Sequence, residues 1–290
     1  MFDFPIENKI VLVTGGGSGI GLKFCSLACS RGAKVLLADI QLTQEAKELV
    51  AREPNVIFQH CDVRRWADLS TAIKVAEQNW GDVPDVYVPG AGIFEPKWSN
   101  FWEDTETDRY ATIDINVSHP IKLTRLAMRA LLGRNKKGAV CIIASIAGIM
   151  RSLGTPLYNA SKHAIVGFVK SLAPAAELEG VKVTGVCPGL VNTPLWTDAP
   201  DRLDQYSVEN AKMLTPEEVA DGMLSVIEQG TYGGGTLLEI HPMGRRVIPE
   251  WNISAPGALY HTETEEMVQR NLAPIKAILG KERGRHASKL

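Results

Sequence analysis

Short apolar runs alternate with longer amphipathic stretches along most of the chain. The runs are rich in Val, Ile and Leu without polar alternation, which is typical of strands buried on both faces of a parallel sheet. The intervening stretches place apolar residues at helical spacing. The predicted strands cover residues 9–13, 33–38, 55–60, 83–88, 139–144, 181–187 and 236–240. The predicted helices cover residues 18–30, 43–52, 65–80, 105–132, 158–178, 216–229 and 262–279.

This alternation predicts an α/β Rossmann fold: a seven-stranded, doubly wound parallel sheet with helices on both faces. Because no internal repeat or linker calls for a second domain, we expect one domain over residues 1–290 with its core at 9–240. Residues 194–213 carry little apolar periodicity and are predicted to form a substrate lid. Residues 241–290 are predicted to form a C-terminal extension.

Composition narrows the function classes without naming one. The net charge of −2 supplies no basic field for nucleic acid. No apolar run is long enough to cross a bilayer, and the first eight residues lack the cationic region of a secretory signal. The chain has five cysteines, an odd number, and most of them lie in apolar stretches, which indicates reduced thiols in the core. No metal site is expected, because the pair Cys25 and Cys29 has no matching second pair of ligands.

A glycine-rich segment, Thr-Gly-Gly-Gly-Ser-Gly-Ile-Gly at residues 14–21, follows the first strand and opens the first helix. Glycines permit a tight turn and a close backbone approach, and a helix N-terminus offers amide donors to a pyrophosphate. The segment therefore predicts a dinucleotide site. Its candidate contacts are Gly15, Gly17, Ser18, Gly19, Ile20 and Gly21.

Two acidic residues follow the second and third strands. Asp39, with Ile40 behind it, would accept hydrogen bonds from both adenosine ribose hydroxyls and repel a 2′-phosphate, which favours NAD over NADP. Its alternative role is to cap the next helix. Asp62, with Val63, would either accept hydrogen bonds from the adenine amino group or cap a helix start.

A serine, a tyrosine and a lysine form the candidate catalytic core. Tyr158 and Lys162 stand at i and i+4, on one face of a predicted helix. Ser145 lies just past the end of the fifth strand. Because ligands bind at the carboxyl edge of an open parallel sheet, all three are expected to converge there.

At this point the sequence resembles the short-chain dehydrogenase/reductase family, over roughly residues 9–240. Within the family it is similar to fungal enzymes of secondary metabolism and to 15-hydroxyprostaglandin-dehydrogenase-like members. The matching motifs, in order, are the turn at 14–21, Asp62, Gly90-Ala91-Gly92, Asn116, Ser145, Tyr158 with Lys162, and Pro188-Gly189 followed by Thr193.

The resemblance implies a role for each catalytic residue. Tyr158 would be the general acid/base, which at neutral pH requires its pKa to fall from about 10 toward 7, worth about 4 kcal/mol. Lys162 would stabilise tyrosinate by its charge and hold the nicotinamide ribose. Ser145 would donate a hydrogen bond to the substrate oxygen. Asn116 would hold a water that links Lys162 to solvent.

The resemblance also implies cofactor contacts at Gly90, Ala91, Gly92, Pro188, Gly189, Val191 and Thr193, besides Tyr158 and Lys162. Val191 and Thr193 would bind the carboxamide and fix the reactive face of the ring. One position departs from the family. Many relatives have Asn before Ala-Gly after the fourth strand, whereas this chain has Pro89-Gly90, which puts the local tie between strands in doubt.

Bulky apolar residues follow strands four, five and six, where the nicotinamide end is expected. They predict a bulky apolar secondary alcohol or ketone as substrate, unless they pack the lid or an interface instead. The candidates are Phe94, Trp98, Met150, Leu153, Trp196 and Met213.

The chain ends in Ser288-Lys289-Leu290, which matches a peroxisomal address. We expect recognition by the peroxisomal import receptor, with a cytoplasmic tail as the alternative. The helices that carry Asn116 and Tyr158 pair across a two-fold axis in relatives, so a homodimer or homotetramer is expected.

The sequence therefore predicts an oxidoreductase that transfers a hydride between NAD(H) and an apolar alcohol or ketone. Two alternatives stay open. One is an NADPH-dependent ketoreductase of a biosynthetic pathway, which Asp39 disfavours. The other is a nucleotide-binding scaffold without turnover, which has no chemical need for Ser145, Tyr158 and Lys162 together.

Overall fold

A mostly parallel sheet of eight strands runs through the computed structural model, which describes residues 2–197, 212–250 and 265–285. Its strand order is β3-β2-β1-β4-β5-β6-β7-β8. The strands are β1 Ile10–Thr14, β2 Lys34–Asp39, β3 Val56–His60, β4 Val86–Pro89, β5 Gly138–Ile143, β6 Val181–Pro188, β7 Leu237–His241 and β8 Gly244–Val247. The first seven are parallel, and the predicted Rossmann arrangement is confirmed.

The eighth strand corrects the predicted count of seven and extends the sheet beyond residue 240. β8 pairs antiparallel with β7, with Ile240 opposite Arg245. All four of its residues are exposed, and two are arginines. An exposed edge strand held by main-chain hydrogen bonds carries no apolar run, so hydrophobic periodicity gives no signal for it.

Ten helices lie in the described ranges, on both sides of the sheet. They are α1 Gly19–Ser30, α2 Gln44–Arg52, α3 Trp66–Trp80, α4 Ala111–Ile113, α5 His119–Gly133, α6 Pro156–Ser171, α7 Ala175–Glu179, α8 Pro194–Thr197, α9 Pro216–Glu228 and α10 Glu265–Glu282. A π-helical turn, Asp114–Ser118, joins α4 to α5.

Two helix predictions differ from the structure, and part of the predicted lid is helical. The helix expected from residue 105 begins at Ala111. The helix expected over 158–178 is two helices, because Pro174 between them has no N–H to continue the ladder of α6. In the predicted lid, residues 194–197 form α8, while residues 198–211 lie outside the described part of the chain, so the lid stays a prediction.

Two apolar layers cover the two faces of the sheet. On one face, side chains of α1, α2 and α9, such as Phe24, Leu49 and Ile227, pack against Val11 and Val13 of β1. On the other face, α3, α5 and α6 pack against Leu12 and Leu36, for example through Ile73, Leu131 and Ile165. The alternation along β1 shows how successive residues serve opposite layers.

The C-terminal helix docks on α5. The Nη1 atom of Arg125 donates to Oε2 of Glu282 at 2.9 Å, and the Gly284 N–H donates to the Leu132 carbonyl at 3.0 Å. Leu279 is buried in the same layer as α5. Within the described ranges, none of the helices has the length and apolar content needed to span a bilayer.

The sheet order places the site. β1 lies between β2 and β4 in the sheet, and the chain leaves β1 toward β2 on one side while β4 pairs with β1 on the other. At this change of direction a crevice opens between the carboxyl ends of β1 and β4. The turn after β1, Asp39 as the last residue of β2, the loop after β4 and Ser145 after β5 all lie at this edge.

Candidate active site

A cleft of about 790 Å³ opens at the carboxyl edge of the sheet and brings together most of the predicted residues. From the predicted cofactor contacts it is lined by Gly15, Ser18, Gly19, Ile20, Gly21, Asp39, Ile40, Asp62, Val63, Gly90, Ala91, Gly92, Pro188, Gly189, Val191 and Thr193. From the predicted catalytic and substrate residues it is lined by Ser145, Tyr158, Lys162, Phe94, Trp98, Met150 and Trp196. Gly17, Asn116, Leu153 and Met213 do not line it.

The glycine-rich turn has the geometry that a pyrophosphate requires. Gly15 and Gly19 have φ angles of 70° and 51°, in the left-handed region that favours glycine. A Cβ on Gly21 would lie 2.1 Å from the Gly15 carbonyl oxygen, so no side chain fits there. Ser18 begins α1 without a side-chain cap, which leaves the first-turn amides open toward the cleft.

Asp39 is fixed by the same turn. Its Oδ2 atom accepts from the Gly17 N–H at 2.8 Å, and its Oδ1 atom accepts from the Ile40 N–H at 2.7 Å. The alternative that Asp39 caps the next helix is wrong, because Thr43 caps α2 by accepting from the Ala46 N–H. The carboxylate lines the cleft, where a ribose hydroxyl would find its remaining lone pairs.

Asp62 is engaged by Arg64, which the sequence analysis missed. The Oδ2 atom of Asp62 accepts from Nη2 of Arg64 at 2.7 Å, and this hydrogen bond is the main reason that the pKa of Asp62 is lowered. The residue before α3 is Arg65, so Asp62 is not its N-cap. An arginine in a polar loop is usually solvated, so the sequence carries no signal that Arg64 lines the cleft.

Ser145, Tyr158 and Lys162 converge as predicted. Ser145 directly precedes the 3₁₀ turn Ile146–Gly148, and its Oγ atom accepts from the Ala147 N–H at 3.1 Å. Nζ of Lys162 donates to the Ile143 carbonyl at 2.9 Å and lies 5.6 Å from the centroid of the Tyr158 ring. All three side chains are buried at the floor of the cleft.

The pKa of Tyr158 differs from the sequence expectation. Burial raises it to about 12, although the neighbouring Ser145 hydroxyl acts in the opposite direction. Burial also lowers the pKa of Lys162 to about 8. Desolvation, which disfavours both charged forms, therefore outweighs the stabilisation of tyrosinate that was expected from Lys162.

Asn116 lies in the π-helical turn and holds the loop after β4. Its Nδ2 group donates to the Ile93 carbonyl at 2.8 Å and to the Ser161 hydroxyl at 3.2 Å, while its Oδ1 atom accepts from the Ile93 N–H at 2.9 Å. Both side-chain donors are thus used by the protein. The bridging water expected at Asn116 stays a prediction, and the structure adds a positioning contact to the loop that contains Gly92.

His119 supplies a connection between neighbouring strands, which was in doubt because this chain has Pro89 where many relatives have Asn. Nε2 of His119 lies 2.9 Å from the Thr14 hydroxyl, which also lies 3.2 Å from the Val88 carbonyl. The Gly90 N–H donates to the Thr14 carbonyl at 3.1 Å. Burial lowers the pKa of His119 to about 4, so the ring is neutral at pH 7. These contacts join β1, β4 and α5 behind the cleft.

Aromatic rings form the wall next to Tyr158. The Phe94 ring meets the Tyr158 ring edge-on, with 4.6 Å between the ring centroids. On its other contact, the Phe94 ring is tilted against the Trp196 ring, with 4.8 Å between the centroids. Met213 packs against this cluster from outside the cleft. Leu153 is 80% exposed and does not line the cleft, so its substrate contact stays a prediction without support from the cleft.

Glu95 is a second residue that the sequence analysis missed. Its buried carboxylate accepts from the Tyr158 N–H at 2.8 Å through Oε2 and from the Phe101 N–H at 3.2 Å through Oε1. Tyr158 is the third residue of α6, and Thr155 before that helix makes no capping bond. Glu95 therefore caps the catalytic helix from the loop after β4.

Comparison with known proteins identifies the class. The model of the short chain dehydrogenase family matches residues 9–204. The chain is 31% identical over 252 residues to zerumbone synthase of Zingiber zerumbet, covering 81% of this chain and 94% of that protein. It is equally 31% identical over 252 residues to 15-hydroxyprostaglandin dehydrogenase [NAD(+)] of Rattus norvegicus, covering 80% and 91%. The chain belongs to the short-chain dehydrogenase/reductase family, and it is an oxidoreductase of that family.

Solved structures share the fold. One is a 3-ketoacyl-(acyl-carrier-protein) reductase from Brucella melitensis complexed with NADH, with a TM-score of 0.68 and 22% identity over 81% of this chain and 97% of that one. Another is a short-chain type dehydrogenase/reductase from Mycobacterium marinum, with a TM-score of 0.72 and 23% identity over 81% and 94%. At this identity the likeness supports the architecture alone.

Proposed function

We propose that this chain transfers a hydride between NAD(H) and the carbinol or carbonyl carbon of a bulky apolar secondary alcohol or ketone. The observation that carries the proposal is the convergence of Ser145, Tyr158 and Lys162 at the floor of a largely apolar cleft. The glycine-rich turn and the open N-terminus of α1 lie along the same cleft and fit a dinucleotide.

When bound, a nicotinamide cofactor would supply the hydride acceptor or donor. In the oxidation direction, the Tyr158 oxygen takes the proton of the substrate hydroxyl; in reduction it gives that proton to the carbonyl oxygen. The Ser145 hydroxyl, which lines the same part of the cleft, stabilises charge on the same substrate oxygen. Lys162 holds a positive charge 5.6 Å from the Tyr158 ring centroid, which favours tyrosinate during turnover.

The cofactor assignment to NAD rests on Asp39. Its carboxylate is held by the Gly17 and Ile40 amides at the second-strand end of the cleft, where a 2′-phosphate would meet a negative charge. The rat relative is named as an NAD(+) enzyme, which supports the same choice.

An NADPH-dependent ketoreductase is the alternative, and Arg64 is the observation that favours it. Arg64 brings a cation to the same end of the cleft as Asp39. Its guanidinium is held in place by the carboxylate of Asp62, with Nε at 3.0 Å from Oδ1 and Nη2 at 2.7 Å from Oδ2. Because the Asp62 carboxylate neutralises the Arg64 guanidinium, this cation is not free to bind a 2′-phosphate, and NAD remains the proposed cofactor.

We further propose import into peroxisomes through Ser288-Lys289-Leu290, which lies outside the described residues. A fluorescent protein fused to the N-terminus of the full chain is expected to reach peroxisomes, and deletion of the last three residues is expected to leave it in the cytoplasm. Equal distribution of both fusions would contradict the address.

We also propose a homodimer or homotetramer, formed through the exposed side of α6. Ala160, Ala164 and Ser171 are exposed on this helix, and a Cβ on Gly167 would touch nothing within 4 Å, so a second helix has room to approach. Light scattering of the purified full chain measures the mass; a monomer at micromolar concentration would contradict the proposal.

Replacement of Tyr158 by Phe tests the proposed chemistry. Loss of the phenolic proton is expected to lower kcat at least a hundredfold while NADH binding is retained. Tyr110→Phe is the matched control, because this exposed hydroxyl bonds to Asp104 outside the cleft. Near-normal turnover in Tyr158→Phe would contradict the proposed function.

A further inference from the structure

Among the described residues, five charged side chains line the cleft, and four of them have partners within the protein. Asp39 accepts from the Gly17 N–H, and Lys162 donates to the Ile143 carbonyl. Asp62 and Arg64 bind each other. These four charges are therefore committed to the turn, the catalytic floor and the adenine end. The fifth lining charge is Arg151.

Arg151 has neither a hydrogen bond nor an ion pair with any part of the chain that the structure describes. It lies after the 3₁₀ turn Ile146–Gly148 and before α6, with Met150 and Ser152 beside it in the cleft wall. Its side chain is exposed. The buried carboxylate of Glu95 accepts from two backbone N–H groups and forms no ion pair with Arg151.

The surroundings of Arg151 are apolar. Trp98 and Met150 are half exposed at the same rim, and the Phe94 and Trp196 rings form the wall toward Tyr158. A cation at the rim of such a cleft offers a directed contact to the one part of an apolar ligand that stays near water. Arginine presents two parallel N–H donors, which match the two oxygens of a carboxylate.

We propose that Arg151 binds a carboxylate of the substrate, so that the substrate is an apolar hydroxy or keto acid. The reacting carbon lies at Tyr158, and the acid group lies at the rim. This inference rests on the proposed function, since it assigns the substrate class of the same cleft. In the described part of the chain, one lining cation without a partner fits one carboxylate better than a nucleotide thioester, whose several phosphate charges would call for several cations.

Ricinoleic acid and its methyl ester provide a matched pair of probes, because both carry the same secondary hydroxyl on a long chain. Wild-type protein is expected to oxidise the acid with a kcat/KM about tenfold above that of the ester. Arg151→Gln is expected to remove this preference and leave the rate with the ester unchanged. Arg151→Lys keeps the positive charge but lacks the two parallel N–H donors, so it is expected to retain part of the preference for the acid.

Arg31→Gln is the control variant, since Arg31 is an exposed arginine outside the cleft. It is expected to keep the wild-type preference. An equal rate for acid and ester in the wild-type protein, or an equal loss for both in Arg151→Gln, would overturn the carboxylate site.

Calorimetric titration with the same two compounds separates this proposal from the proposed function. Preferential binding of the acid that depends on Arg151, without oxidation of either compound, would support the anion site and count against the redox assignment. Oxidation of both compounds without any preference for the acid would count against the anion site alone. Binding of acid and ester with equal affinity would also overturn the site.

Discussion

Removal of the Glu95 carboxylate should loosen the start of the catalytic helix. The Tyr158 N–H is one of the first-turn donors of α6 that no residue of the helix itself can satisfy. Glu95 accepts it at 2.8 Å from a loop 63 residues earlier in the chain. In Glu95→Ala both this N–H and the Phe101 N–H lose their acceptor.

The expected cost follows from the burial of these groups. A buried donor left without a partner costs about 1–3 kcal/mol, and a hydrogen bond to a charged group is worth about 1.5–3 kcal/mol. The Tyr158 N–H contributes most, because its bond is shorter than the 3.2 Å bond of Phe101. We therefore expect Glu95→Ala to lower the free energy of unfolding by about 2–4 kcal/mol. Glu95→Gln keeps one acceptor oxygen and should lose about 1 kcal/mol.

The same loss should reach catalysis, because Glu95 holds the backbone of Tyr158 itself. We expect kcat to fall about tenfold to a hundredfold in Glu95→Ala, with little change in the KM for NAD, since displacement of a reacting group by about 1 Å has an effect of this size. Urea unfolding and steady-state kinetics measure the two effects. Glu95→Gln should recover most of kcat.

Glu103→Ala provides the matched control, because Glu103 is an exposed glutamate on the same loop. It should leave both the unfolding free energy and kcat near their wild-type values. If Glu95→Ala unfolds like Glu103→Ala, or if it retains full kcat, the capping role assigned to Glu95 is refuted.

Three further predictions follow from the site. In His119→Ala the Thr14 hydroxyl loses the nearest of its partners and a buried cavity opens, so urea unfolding should show a loss of about 2–4 kcal/mol; an unchanged midpoint would contradict the tie. In Gly21→Ala the new Cβ meets the Gly15 oxygen at 2.1 Å, so NADH should bind at least tenfold more weakly by fluorescence titration, and equal affinity would contradict the turn. Burial lowers the pKa of Lys162 from 10.5 in the unfolded chain to about 8 in the folded one. Between about pH 8 and 10.5 the unfolded chain therefore binds more protons at this residue, and the contribution of Lys162 to the free energy of unfolding rises with pH. In urea unfolding, the free energy of unfolding of Lys162→Met should lack this rise. Parallel pH profiles of the wild-type protein and Lys162→Met would refute the lowered pKa of the buried lysine.

Local pattern was enough to place the main parts of the site. The apolar runs identify the seven parallel strands, and a parallel sheet brings all their carboxyl ends to one edge. Ser145, Tyr158 and Lys162 meet there because one follows β5 and the other two share a face of α6. The glycine-rich turn and Asp39 lie at the same edge for the same reason.

The residues that were missed act through contacts that local pattern does not encode. Glu95 is separated from Tyr158 by 63 positions, and His119 is separated from Thr14 by 105. A glutamate in a loop and a histidine in a helix are ordinary surface residues until tertiary packing buries them against unpaired polar groups. The raised pKa of Tyr158 likewise depends on how deeply the folded chain buries the phenol.

Parallel fluorescence titration of the purified protein with NADH and NADPH tests the central claim most directly. Because the Asp39 carboxylate is proposed to face the ribose hydroxyl that carries the extra phosphate in NADPH, NADH is expected to bind at least tenfold more tightly than NADPH. Asp39→Ser should narrow this difference. Tighter binding of NADPH would contradict the assignment of Asp39, and binding of neither nucleotide would contradict the NAD(H)-linked function as a whole.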